Sequence, residues 1–158
     1  MSLNLIRKDN RNEYRIGDQS YFLILDGADT GERCSLFETV MPPGCRALPH
    51  THTREHESLL VLAGALNVSF LSGDKKQITL HAGDFVKLPK DIHYSLHNLG
   101  TTPVHALVFF VPAGMESYLK VCSDPHLTGK ERRKLALGYG VEYIEPDNLP
   151  FIDKQEQI

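Results

Sequence analysis

His50 and His52 stand one residue apart, and Glu57 follows five residues later. In an extended strand, residues i and i+2 point to the same face, so both imidazoles can share one ion. Glu57 precedes the apolar run 58–62, where the chain can turn back and bring a carboxylate to the two rings. Two imidazoles and one carboxylate leave coordination positions open on a divalent first-row metal, and an open position admits a substrate or dioxygen. Fe, Mn, Ni and Zn all suit such a set. Glu57 can then serve either as a ligand or as a base.

Other residues of the same chemical types lie close by. Six of the eight histidines fall between residues 50 and 97: His50, His52, His56, His81, His93 and His97. His56 should face away from Glu57 into solvent, and His81 lies in the turn before Gly83. His126 lies in a linker, and His105 opens a strand from which it can face either the cavity or the exterior. Arg46 and Glu55, near the rim, can contact an anionic or hydroxylated ligand, although solvation is the commoner state of long charged side chains. The cluster 130–134 reads as a wetted helix face. Cys34, Cys45 and Cys122 are too few and too scattered for a disulfide framework, so they read as small buried or half-buried thiols.

The elements that must position these groups are short and β-rich. Strands are expected at 21–25, 35–41, 58–62, 66–71, 77–80, 85–88 and 104–111, a spacing typical of an antiparallel sandwich or barrel. Asp26-Gly27, Pro42-Pro43-Gly44, Ser72-Gly73-Asp74 and Ala82-Gly83-Asp84 supply the turns. Helical pattern is confined to 115–122 and 128–137, the second with Thr128 as N-cap and Glu131 three residues on. From Pro146 the sequence has no periodicity. The expected organisation is an arm over 1–14, a β-barrel domain over 15–122, and a C-terminal helix and tail over 123–158.

Composition bounds the partners. The 158 residues, 41% of them hydrophobic, suit one domain that buries roughly 70% of its unfolded surface. Seventeen basic and twenty acidic residues give a net charge of −3, which argues against an electrostatic grip on nucleic acid or anionic lipid. No apolar run approaches the roughly 20 residues of a membrane-spanning helix. Residues 1–10 lack the apolar stretch of a secretory signal, so the expected compartment is the cytoplasm.

The spacing Gly44, five residues, His50, one residue, His52, four residues, Glu57, six residues, Gly64 resembles the first motif of the cupin superfamily at every interval. Gly83, five residues on to Pro89, and a run ending at Asn98 resemble the second motif. Flanking features (residues 21–25, Asp29-Thr30-Gly31, Pro42-Pro43-Gly44 and 112–116) are similar to those of small quercetin-dioxygenase-like cupins. The resemblance covers roughly residues 15–122. It implies an all-β double-stranded β-helix, or jelly-roll barrel, with a short C-terminal helical extension. It also implies a metal in the barrel mouth and a small-molecule ligand, with enzymes and non-catalytic binding proteins both represented in the superfamily.

One position departs from that pattern. The family's second motif carries a histidine ligand where this chain has Tyr94, with His93 next door. Strand alternation turns Tyr94, Leu96 and Asn98 inward together and sends His93 and His97 outward, while a one-residue bulge would instead bring His93 to the metal. The expected site is therefore His50, His52 and Glu57 with Tyr94, or a bulged His93, at the fourth position. Glu57 and Tyr94 are the catalytic candidates. The expected activity is metal-dependent turnover of a small organic molecule, with dioxygenation the leading reaction, and the alternative is a non-catalytic cupin that binds a small ligand as a sensor or carrier. Open strand edges suggest a homodimer.

Overall fold

Apolar and small residues alternate along β3 (Ser35–Met41) and β10 (Val104–Val111), and the structure buries the alternate set of each. The two strands pair antiparallel from Val104↔Met41 to Phe110↔Ser35, so Phe37, Met41, Val104, Ala106, Val108 and Phe110 all enter one core. The computed structural model describes residues 5–71 and 77–144. The other strands are β1 (Glu13–Ile16), β2 (Gln19–Leu25), β4 (Arg46–His52), β5 (His56–Ala63), β6 (Ala65–Phe70), β7 (Gln77–His81), β8 (Phe85–Leu88), β9 (Tyr94–His97) and β11 (Val141–Tyr143). They form a six-stranded sheet ordered β1-β2-β3-β10-β5-β8 and a five-stranded sheet ordered β11-β4-β9-β6-β7. All the pairs are antiparallel, and the two inner faces enclose the core of the expected double-stranded β-helix.

Three short α-helices and one 3-10 turn (Lys8–Asn10) complete the described elements: α1 (Gly27–Thr30), α2 (Met115–Cys122) and α3 (Gly129–Gly138). The expected second C-terminal helix is present, and its Thr128–Glu131 capping box forms in both directions. Asp26-Gly27, expected as a turn, instead opens a one-turn helix because Asp26 and Asp29 cap each other. Four strands lie outside the expected list: β4 and β9, treated only as extended stretches around His50 and Tyr94, and β1 and β11. β1 is too polar to show an apolar alternation, and β11 is only three residues long. The expected turn at 72–74 and the stretch from Pro146 lie outside the described residues.

The second half of the chain returns to the barrel. α2 buries Met115, Tyr118, Leu119 and Cys122. The Arg132 Nε–H donates to the Cys122 carbonyl at 2.7 Å, tying α3 to α2. β11 then pairs with β4, setting Val141 opposite His52 and Tyr143 opposite His50. A stretch far along the sequence thus lies against the strand that carries both site imidazoles.

Candidate metal centre

β4 ends in four consecutive buried residues, Pro49, His50, Thr51 and His52. The two rings sit on one face, as their spacing requires, with centroids 5.1 Å apart. β5 runs in the opposite sheet and brings Glu57 across the barrel, opposite Phe110 on one side and Leu88 on the other. One ligand atom from each of His50, His52 and Glu57 lies within 4.8 Å of the others, and all three side chains are buried. β9 adds Tyr94 through its register with His50.

Hydrogen bonding fixes the protonation of these groups. A carbonyl can only accept, so the contact of 2.6 Å between His50 Nδ1 and the Leu48 carbonyl places the ring hydrogen on Nδ1 and leaves Nε2 with its lone pair. Burial, and after it the neighbouring His52, pulls the His50 pKa down to about 4, so the ring is neutral at physiological pH. Burial opposes ionisation of Glu57, but the hydrogen bond and charge of His52, the charge of His50 and the Tyr94 hydroxyl outweigh it and hold the carboxyl below its usual range. Tyr94 donates to Glu57 Oε2, and His52 Nε2 lies 3.3 Å from the same oxygen. Burial, and then the Glu57 charge, drives the Tyr94 phenol well above its ordinary value, so it stays protonated as a donor.

This donor set fits a divalent cation. It offers two imidazoles and one carboxylate, buried together and close enough for one ion to bridge them. Protein atoms alone do not satisfy it, because His52 Nδ1 is buried without a hydrogen-bond partner. The centre opens onto a cavity of about 180 Å³ lined by both histidines and Glu57.

The remaining sequence candidates are placed as follows. Tyr94, Leu96 and Asn98 are buried, while His93 and His97 are half-buried. His93 is outside the cluster of possible ligands. Asn98 serves the loops, donating to the Met41 and Thr102 carbonyls and accepting from the Gly100 N–H. His56 is half-buried rather than solvated, because its Nδ1 accepts the Lys90 N–H at 3.2 Å. His81 and His126 are exposed, and His105 faces outward beside Glu38. All three cysteines are free thiols, with Cys34 half-buried and Cys45 and Cys122 buried.

Two expectations need correction. Glu55 is not solvated at the rim but 4% exposed, with Oε2 unpartnered, and burial raises its pKa. The helix cluster 130–134 is not a uniformly wetted face either. Lys130, Glu131 and Lys134 are exposed, but Arg132 and Arg133 are half-buried and line the cavity. Sequence reading also missed Tyr118 and Tyr143, whose hydroxyls lie 2.6 Å apart beside the site. Tyr118 lies in the expected helix 115–122 with nothing to mark it as facing a site, and the only signal for Tyr143 is the Val-Glu-Tyr alternation at 141–143, too short to stand out.

Comparison with known proteins agrees with the geometry. Residues 37–110 match the family described as cupin domain. Putative germin-like protein 9-2 of Oryza sativa subsp. japonica is 40% identical over 82 residues, which is 51% of this chain and 38% of that protein. Germin-like protein subfamily 2 member 1 of Arabidopsis thaliana is 37% identical over 70 residues, 43% of this chain and 32% of its own length. The chain thus spans well under half the length of these relatives. Among solved structures, a predicted oxalate decarboxylase of Thermotoga maritima superposes with a TM-score of 0.62 at 19% identity, over 69% of this chain and 99% of that one. An oxalate oxidase superposes with a TM-score of 0.56 at 22% identity, over 70% of this chain and 61% of that one.

These findings support a cupin domain over residues 37–110, and the solved structures support its fold. The quercetin-dioxygenase-like subtype gains no specific support from the named relatives, which are germin-like proteins, an oxalate oxidase and a predicted oxalate decarboxylase. The cupin match contains all four site residues, His50, His52, Glu57 and Tyr94, but stops before α2, α3 and β11. Among the described residues, no helix is long and apolar enough to cross a membrane.

Proposed function

We propose that this protein is a divalent-metal cupin that turns over a small organic molecule in its cavity, with dioxygenation as the leading reaction. The observation that carries the reading is the buried convergence of His50, His52 and Glu57 at the cavity. These three residues would hold an Fe, Mn, Ni or Zn ion. When bound, the ion supplies a Lewis acid and, if redox-active, an electron path to dioxygen. The chain's own groups do the rest. The Leu48 carbonyl orients His50, Tyr94 fixes a proton at Glu57 Oε2, and Phe110 and Leu96 keep bulk water from the rings. Glu57, an ionised carboxylate beside the ligand space, is the proton acceptor whenever it is not fully engaged with the ion.

Elemental analysis of the purified protein, followed by titration with Mn(II) and Zn(II), tests this directly. One bound ion per chain is expected, and His50→Ala should weaken binding at least 100-fold and abolish turnover. No bound metal and no affinity for added metal would refute it. A second reading, a non-catalytic binder, has its own observation: Tyr94 spends its proton on Glu57 where the family carries an imidazole. No turnover by wild type over a broad panel, with ligand binding retained, would favour the binder. The proposal also includes a cytoplasmic homodimer, supported by three unpaired thiols and by open sheet edges at β1, β7, β8 and β11. Light scattering should give about twice the chain mass.

A further inference from the structure

The cavity has a wall that the cupin stretch does not supply. Tyr118 of α2, Arg132 and Arg133 of α3, and Tyr143 of β11 all line it, and all lie beyond residue 110. Tyr143 packs against the His50 ring at 5.7 Å between centroids, so this wall stands directly beside the centre.

Charge and proton count both point to the ligand. Arg132, Arg133 and, from β4, Arg46 contribute three cations to the lining, while Glu57 is the one carboxylate among the described lining residues and would be neutralised by a metal. Arg46 and Arg132 have no carboxylate partner among the described residues, since Arg132 spends its donors on the Cys122, Asp124 and Leu127 carbonyls. The Tyr118 and Tyr143 hydroxyls carry two hydrogens and use one between themselves, and among the described residues the other has no acceptor. Phe110, Leu119 and Val141 add apolar surface to the same lining. The cavity, about 180 Å³, holds roughly six waters at about 30 Å³ each, the size of a small aromatic acid.

We infer that the C-terminal segment selects the ligand, a small monocarboxylate with an apolar body, the Tyr118–Tyr143 pair donating to a carboxylate oxygen and the lining arginines supplying the opposite charge. The apolar wall meets the ligand's carbon skeleton, and the cationic rim draws its charge. This assignment rests on the proposed reading of the cavity as a ligand site.

The test is calorimetric titration of the full chain with benzoate, benzamide and inorganic phosphate, on both metal-free and Zn(II)-loaded protein, with Zn(II) affinity measured separately. Benzoate should bind both forms at least ten-fold more tightly than benzamide or phosphate. Tyr143→Phe, which keeps the ring on His50, should weaken benzoate roughly ten-fold or more. Should that variant fold poorly, Arg46→Gln at the exposed rim should weaken benzoate several-fold and leave benzamide unchanged. Benzoate binding no tighter than benzamide or phosphate overturns the inference, as does unchanged affinity in the folded variants. Zinc binding without benzoate binding sinks this inference alone. Benzoate binding without zinc binding sinks the metal reading and leaves this one standing.

Discussion

The floor of the cavity and its C-terminal wall are built on different principles. His50, His52, Glu57 and Tyr94 project from β4, β5 and β9, none of them an edge strand, and each has a registered neighbour, that of His52 being Val141 of β11. Tyr118, Arg132, Arg133 and Tyr143 come from two short helices and a three-residue edge strand, joined to the barrel by the buried face of α2 and the β4–β11 pairing. A rigid floor suits the ion, which needs its ligand atoms held closely, while a locally anchored wall can vary with the ligand. Chemistry then belongs to the barrel and selectivity to the segment that follows it.

Acid is the strongest way to separate the two. The His50 pKa of about 4 lies below its ordinary value of 6.5, so between these pH values the unfolded chain binds a proton that the native metal-free protein does not. Its contribution to stability is complete above pH 6.5 and is lost as pH falls toward 4, costing up to about 3 kcal/mol. Glu57, with its pKa also lowered, acts in the same sense, its contribution disappearing as pH falls through the folded value. Glu55, with its pKa raised, acts oppositely, favouring the fold at low pH and losing that contribution as pH rises. Urea unfolding of metal-free protein should therefore show lower stability at pH 4.5 than at pH 7, and His50→Gln should flatten the difference. An unchanged slope in that variant would mean that the floor is not the acid-sensitive region.

The same contrast explains what could be read from the sequence. The floor was legible because a two-residue period and fixed intervals place His50, His52 and Glu57 together, and alternation alone turned Tyr94 inward. The strands at 35–41, 85–88 and 104–111 were equally plain, since each carries its own apolar signal. The wall was not legible. Arg132 and Arg133 look like any charged helix face until β11 docks α3 against the mouth, and that docking depends on contacts across about ninety residues of chain. Glu55 was misplaced for a similar reason. Its burial comes from the entry to α2, where its Oε1 approaches Gly114 closely enough that an added Cβ would sit 3.2 Å away.

Glycine substitutions probe the two regions at matched backbone geometry. Gly64, between β5 and β6, has φ +81°, and a Cβ there would sit 2.7 Å from the Pro103 carbonyl oxygen and 3.0 Å from Val104 Cα. Backbone cannot step aside as a side chain can, so Gly64→Ala should cost about 3 kcal/mol in global stability and lower the melting temperature of the whole barrel. A loss under about 1 kcal/mol would show that the barrel is looser than its register implies.

Gly140→Ala should be gentler and more local. Gly140 has φ +79°, nearly the same strain, but the added Cβ would meet Arg54 Cγ and Cδ and Thr53 Oγ1 at 2.7 to 2.9 Å, side-chain atoms that can move. Its carbonyl accepts from both the N–H and the hydroxyl of Thr53, so the turn also anchors β11 just beyond the end of β4. The expected cost is about 1 kcal/mol, the steric penalty of a left-handed residue, with a correspondingly small change in melting temperature. Because the strain falls on the turn that feeds Val141 and Tyr143 into the sheet, hydrogen exchange of residues 139–143 should rise while exchange in β5 and β10 stays unchanged. Equal acceleration in both regions would mean that floor and wall unfold as one unit, and the division of labour between them would have no energetic basis.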